Sequence, residues 1–145
     1  MLDITYSKPD FRIKNEAGKE FIFDVLRKKW ILLTPEEWVR QNFVQYLIRQ
    51  KNYPSTLIAI EKEIQVGELK KRFDILVYDA IHQPWMMIEC KAATIKLDDS
   101  VLHQILRYNI PLPVPFIIIT NGNLSFGWQR INNNLDLITE IPDWK

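Results

Sequence analysis

The chain has 145 residues, 47% hydrophobic and 26% charged, enough for one buried core without disulfides and too apolar for a disordered segment. The net charge of +1 gives the whole molecule no general pull on polyanions, so any nucleic-acid contact must come from local clusters. The lone cysteine, Cys90, cannot close an internal disulfide, and the longest apolar run, Val114 to Ile119, is far short of the roughly 20 residues of a membrane span. The first residues, Met1-Leu2-Asp3-Ile4-Thr5, lack the basic-then-apolar layout of a secretory signal, so a cytoplasmic location without membrane contact is expected.

In chain order, residues 1–31 read as a strand-rich arm, with Phe21-Ile22-Phe23 flanked by charge. Thr34-Pro35-Glu36-Glu37 then starts a helix: a capping Thr, a Pro at the first helical position and acids in the first turn. Val39, Phe43, Tyr46, Leu47 and Gln50 follow at helical spacing, and Tyr53-Pro54-Ser55 ends the element. Leu57 to Val66 alternates as a strand, placing Ile58, Ile60, Ile64 and Val66 on one side and Glu61, Glu63 and Gln65 on the other. Gly67-Glu68 marks a turn, Phe73 to Tyr78 a second strand, His82-Gln83-Pro84 a break and Trp85 to Cys90 a third strand. Such short breaks predict a meander.

Asp98-Asp99-Ser100 opens a second helix carrying Val101, Leu102, Ile105, Leu106 and Tyr108, and no helix can cross Pro111 to Pro115. Phe116 to Ile119 is a buried strand, Asn121-Gly122 a turn, and Leu124 to Arg130 the last strand expected. The order is helix, three strands, helix, strand (αβββαβ), an α/β class with a mixed central sheet flanked by helices. The expected organisation is one unit over 1–145, with the arm at 1–31 and the core at 34–130.

The residues that carry chemistry are Asp74 and the trio Glu89-Cys90-Lys91. Strand side chains alternate, so Glu89 and Lys91 share a face while Cys90 points away. If Asp74 sits on the neighbouring strand with its side chain on that same face, two carboxylates and an ammonium converge. Paired carboxylates suit Mg²⁺, with Mn²⁺ as a substitute, and the Cys90 carbonyl could add a third oxygen ligand. Such a metal neutralises charge and activates water for phosphodiester cleavage, while a fixed Lys91 stabilises the transition state. A Glu and a Lys two apart on a strand are also common on solvated faces. The weight comes from context, because Trp85 to Ile88 and Ile75 to Val77 read as buried strands ending in charge.

Two basic runs, Arg27-Lys28-Lys29 and Lys70-Lys71-Arg72, read as solvated loop ends, but the second abuts Asp74 and could hold a phosphate backbone. His82 and His103 have no zinc spacing, and Ser100 and Ser125 lack a nucleophile elbow. The five tryptophans read as packing, with Trp38 and Trp128 as the ones that could be exposed.

Several segments together resemble the N-terminal nuclease domain family of type I restriction enzyme R subunits, within the PD-(D/E)XK, or restriction-endonuclease-like, superfamily. They are Pro35-Glu36-Glu37-Trp38-Val39-Arg40-Gln41, Lys71-Arg72-Phe73-Asp74, Ile88-Glu89-Cys90-Lys91, Gln104-Ile105-Leu106-Arg107-Tyr108-Asn109 and Thr120-Asn121-Gly122. Arg72-Phe73 stands where the superfamily name has a Pro before the Asp. The resemblance implies that Asp74, Glu89 and Lys91 form the catalytic set and that Glu36 or Glu37 joins the metal site. It also implies that Gln104 and Tyr108, four apart on a helix, position nucleic acid or support the lysine.

No Walker-type phosphate loop occurs among the 145 residues, so they hold no ATP-driven motor. The expected function is a Mg²⁺-dependent endonuclease acting on DNA, with RNA not excluded and a homodimer or a larger restriction or repair assembly left open. The rival is a nucleic-acid-binding or partner-docking module that cuts nothing.

Overall fold

The computed structural model describes residues 1–145 apart from the side chain of Val66, so the expectation for that side chain lies outside the described residues. Three short strands form the arm: β1 (Ile13–Glu16), β2 (Lys19–Asp24) and β3 (Lys29–Leu32), paired antiparallel in the order β1-β2-β3. The core then runs α1 (Pro35–Gln45), β4 (Ile58–Val66), β5 (Leu69–Tyr78), β6 (Pro84–Cys90), α2 (Asp99–Asn109), β7 (Phe116–Thr120), β8 (Ser125–Ile131) and β9 (Asn134–Ile138). The helix, three-strand, helix, strand order is therefore present, on a six-stranded sheet ordered β4 to β9.

Both helix starts follow from their caps. Thr34 Oγ1 accepts from the Glu37 N–H at 3.0 Å, and Asp98 Oδ1 accepts from the Val101 N–H at 3.0 Å. α1 continues through a wider π-helical turn, Tyr46–Gln50, before the chain leaves toward β4. β4, β5 and β6 form the expected meander. The crossover through α2 makes β6 and β7 the parallel pair in an otherwise antiparallel sheet.

The strand β9 goes beyond the sequence expectation, which stopped at Arg130. Asn132 and Asn133 both adopt positive φ, 50° and 70°, the backbone of a tight hairpin turn, and Ile131 pairs with Asn134. Among the described residues no helix is long and apolar enough to cross a membrane.

The sheet buries both faces. On one, Val39 and Phe43 of α1 and Leu47 of the π-helical turn pack on Ile75, Val77, Met86, Ile88 and Ile118. On the other, Leu102 of α2 with Leu112 and Val114 packs on Phe73, Leu76, Met87, Ile117 and Ile119. Each such fully buried side chain contributes roughly 1.5–3 kcal/mol.

The regular alternation expected for Leu57 to Val66 fails part-way. Ile58 and Ile60 belong to the α1 side, whereas Ile64 packs on the α2 side. The reversal falls at Glu61, whose φ is +51°. Ile60 still pairs with Ile75 and Lys62 with Phe73, leaving Glu61 and Asp74 facing each other between two registered pairs. Phe73 and Ile75 accordingly pack on opposite faces. Asp74 sits at that reversal, so the sheet's irregularity and the first candidate carboxylate coincide.

Candidate active site

The β5–β6 register runs through Val77↔Met86, Leu76↔Met87 and Ile75↔Ile88. Beyond it the Cys90 N–H donates to a side chain of β5, Asp74 Oδ2, at 2.7 Å. This bond draws Asp74 to the end of β6, where Glu89 and Lys91 lie. Lys91 Nζ is 3.4 Å from Glu89 Oε1. The Lys91 N–H donates to the Thr120 carbonyl at 2.8 Å, which fixes its backbone against β7. Burial first, and then the Asp74 carboxylate, push the Glu89 carboxyl up to about 7, with the Lys91 ammonium pulling the other way. Cys90 itself is buried and its thiol is pushed up by that burial, so it is a core side chain rather than a nucleophile.

The two acids at the start of α1 part company. Glu36 stays half-exposed, and burial followed by the charge of Asp74 raises its carboxyl above the usual range, with Arg40 and Lys91 opposing. Glu36 is therefore the acid that shares the electrostatic environment of Asp74 and Lys91. Glu37 is 5% exposed and turned into a polar core. Its Oε1 and Oε2 accept from Arg27 Nη2 at 3.1 and 3.0 Å, Oε1 accepts from Arg40 Nη1 at 3.0 Å, and Oε2 accepts from Gln41 Nε2 at 3.0 Å.

This network was not foreseen from the sequence. Arg40, 4% exposed, reaches Glu37 at 3.0 Å, Glu61 and Asp74 both at 3.4 Å, and Glu36 at 3.6 Å, linking α1, β4 and β5. Its Nε is buried without a partner. Arg27, read as part of a solvated loop end, joins Asp24 at 2.6 Å, Glu37 at 3.0 Å and Glu61 at 3.2 Å. The Arg-Gln pair inside Pro35 to Gln41 was the visible signal, since two long polar side chains on the inward side of a helix need buried partners.

The basic run before Asp74 does not act as a unit. Lys70 and Arg72 are exposed, with Arg72 Nη2 3.1 Å from Glu61, so both stand where a phosphate could reach them. Lys71 is a correction: it is 5% exposed, donates to the Tyr108 carbonyl at the end of α2 and lies against the face of the Tyr108 ring. Strand alternation explains it, because Lys71 shares a side with Phe73, which is buried under α2. Gln104 and Tyr108 do share a face, and with Glu89 and Lys91 they line one groove of about 650 Å³. Trp38 is partly exposed and packs edge-on against Phe11, whereas Trp128 is buried.

Thr120-Asn121-Gly122 also has a structural reading. Asn121 Oδ1 accepts from the Asn123 and Leu124 N–H groups at 3.0 and 2.8 Å, and its Nδ2 donates to the Ile95 carbonyl at 2.8 Å. Asn121 therefore ties the β7–β8 turn to the loop that follows Lys91. Gly122 has φ +89°, and a Cβ there would lie 3.3 Å from Val39 of α1.

The sequence profile of the type I restriction enzyme R protein N terminus matches residues 35–142, which spans α1 through β9 and holds every side chain described at the strand ends. The chain belongs to that family. No curated protein matches it. The match begins at Pro35, so β1 to β3 stand outside the part shared with the type I restriction R protein N-terminal family, although Arg27 and Asp24 from the arm complete its polar core.

As the side chains stand, no three His, Cys, Asp or Glu groups among the described residues are gathered closely enough to hold a metal ion. Asp74 Oδ1 and Oδ2 are engaged by Arg40 and by the Cys90 N–H, although each carboxylate oxygen keeps a further lone pair. The donor set that Asp74, Glu89 and the neighbouring backbone offer this family member is all hard oxygen, which fits Mg²⁺ or Mn²⁺ and not a thiophilic metal.

Proposed function

We propose that the chain is a metal-dependent nuclease of the PD-(D/E)XK kind that hydrolyses DNA phosphodiester bonds. The observation that carries this reading is the meeting of Asp74, in the middle of β5, with Glu89 and Lys91 at the end of β6, with Glu36 of α1 beside them. Two crowded carboxylates without a shared cation repel each other. A divalent ion relieves that repulsion.

Asp74, Glu89 and the Cys90 carbonyl would hold the Mg²⁺, with Mn²⁺ in its place where supplied. The Cys90 carbonyl leaves the strand on the same side as its N–H, which faces Asp74. When bound, the ion supplies charge neutralisation at the phosphate and a lowered pKa for an attacking water. The protein's own residues do the rest. Lys91, one-third exposed and braced on Glu89, presents a fixed positive charge to the phosphate oxygens. Glu36, half-exposed at the mouth, orients solvent toward the same point. Lys70 and Arg72 hold the flanking phosphate backbone, and both remain exposed enough for that.

The test is cleavage of supercoiled and single-stranded DNA with Mg²⁺ or Mn²⁺, comparing wild type with Asp74→Ala and Lys91→Ala. Cutting by wild type alone supports the assignment. Cutting that survives both substitutions removes it. One observation favours the rival, a binding module on the same fold: both Asp74 oxygens already have protein partners. That reading takes over if wild type binds DNA and cuts none, and if Lys91→Ala leaves the binding intact.

A further inference from the structure

The two faces of the arm differ in kind. On one, Ile22 pairs with Ile13 and Ile31, and Ile22 and Asp24 are buried, with Asp24 Oδ2 accepting from Gln41 Nε2 of α1 at 3.0 Å. On the other, Lys14, Phe21 and Leu32 form one cross-strand row and Phe23 and Trp30 the next, where the Phe23 N–H donates to the Arg12 carbonyl at 2.9 Å. The three rings are only half-buried and Leu32 is exposed, although the buried face already fastens the arm to α1. Cations are laid among the rings. Arg12 Cζ lies 4.9 Å from the centre of Phe23 and 5.4 Å from that of Trp30, and Lys14 Nζ lies 4.6 Å from Trp30 and 5.9 Å from Phe21. Lys19 sits on the same face opposite Glu16, the one acid that the register places there, which Lys14 engages at 3.1 Å.

The arm also adjoins the candidate site. Arg27 Nη1 and Arg72 Nη2 reach the same Glu61 oxygen at 3.2 and 3.1 Å, so the turn that carries the exposed Lys28 and Lys29 lies beside the exposed cations before Asp74. From this we infer that the outer face of the arm binds an unpaired strand of DNA that flanks the scissile phosphate. Its bases lie against Phe21, Phe23 and Trp30, and its phosphates on Arg12, Lys14 and Lys19. The inference rests on the nuclease reading for the origin of the strand, but the binding itself needs no cutting. An unpaired strand supplies both things that the face complements: a flat base whatever the sequence, and a charge at every nucleotide. A base can also stack on the exposed guanidinium of Arg12, whose other side already rests on two rings. Intact duplex keeps its bases stacked inside and meets the cations alone, and an acidic peptide leaves the rings without a flat partner. The face lies wholly outside residues 35–142, so it adds to the unit shared with the family.

The experiment compares wild type, Trp30→Ala, Trp30→Phe and the double variant Arg12→Gln/Lys14→Gln, with melting temperatures as the check on folding. Fluorescence anisotropy measures binding of a labelled single strand of about twenty nucleotides, and of its blunt duplex, across a salt series with Ca²⁺ in place of Mg²⁺. Cleavage of both is then measured with Mg²⁺. The expected result is single-strand binding weakened about tenfold by Trp30→Ala and by the double variant, and kept by Trp30→Phe. The logarithmic salt slope should also become shallower by about 1.4 in the double variant, two phosphates' worth. Should Trp30→Ala melt far below wild type, the double variant decides alone. Single-strand affinity and slope unchanged in the folded variants, losses as large on duplex as on single strand, or no binding by wild type overturns the inference. Cutting that persists beside arm-independent binding leaves the nuclease reading intact, and arm-dependent binding with no cutting of any DNA does the reverse.

Discussion

Arg40 and Asp74 meet at 3.4 Å, placing a guanidinium that is 4% exposed against the carboxylate in the middle of β5. The same guanidinium serves Glu36, Glu37 and Glu61, so its removal leaves four acids short of a partner at once. Arg40→Met should therefore destabilise the fold by about 3 kcal/mol or more, since breaking a buried pair strands the remaining charge. Arg40→Lys should recover only part of this, because one ammonium cannot span the positions a planar fork reaches. Urea denaturation of the three proteins measures it. A loss below about 1 kcal/mol for Arg40→Met would show that the network is solvated rather than structural.

Glu36 and Glu37 are adjacent in sequence and opposite in consequence. Glu37→Gln removes the charge that pairs with both Arg27 and Arg40 in a buried setting, so the expected loss is about 2–4 kcal/mol of stability. Glu36→Gln touches a half-exposed carboxyl whose one ion pair is 3.6 Å long, and its stability should change by less than about 0.5 kcal/mol. DNA cleavage should fall with Glu36→Gln in a protein of unchanged melting temperature. Were Glu37→Gln the silent one of the two in thermal melts, the division of roles would be reversed.

That division was half legible in the sequence. The helix starts at Thr34 and Asp98, the meander, the mixed sheet and the αβββαβ order are local signals or follow from turn length, and the fold repeats them. Glu89 and Lys91 could be put on one face by strand alternation alone, with Asp74 joining them only if its side chain lay on that face. The Asp74 bond to the Cys90 N–H could not, because it depends on where the β5–β6 ladder stops. Arg40 stands out only as a polar residue on the inward side of α1, and two of its partners, Glu61 and Asp74, come from the distant strands β4 and β5. The reversal at Glu61 is hidden for a similar reason, since nothing local marks a glutamate that takes φ +51° inside a strand. Lys71 sits in a run of three bases that reads as solvated, and only the packing of α2 over Phe73 turns it inward.

Asp24 gives the arm a measurable pH signature. It is 1% exposed, and burial works to raise its carboxyl, but the Arg27 backbone and side chain outweigh that and hold it below the usual 3.8. A folded-state value below the unfolded one means stability that is fully present above the unfolded value and lost as pH falls through the folded one. Asp24→Asn should therefore be less stable than wild type at neutral pH, with the gap closing as the pH drops below about 4. Melting temperatures of both proteins between neutral pH and strong acid test this. A gap that stays constant with pH would place the effect in packing rather than in the ionised carboxylate.

Glu89 should show a trade between stability and metal binding. In the metal-free protein it is a partly buried carboxylate crowded by Asp74 and only partly offset by Lys91 at 3.4 Å, so Glu89→Gln removes a repulsion and keeps the shape. The variant should melt at or above the wild-type temperature without metal. Adding Mg²⁺ should then separate the two proteins in the other direction, because a ligand that binds the folded state alone stabilises it by about 2.7 kcal/mol at a hundred times its dissociation constant. Wild type should gain that increment, and Glu89→Gln should gain little of it and cut no DNA. Thermal melts across a Mg²⁺ series, with Ca²⁺ as a second probe, distinguish the cases. A variant that is destabilised without metal and still shifts fully with Mg²⁺ would place the ion away from Glu89, and the donor set would have to be sought around Asp74 and Glu36 alone.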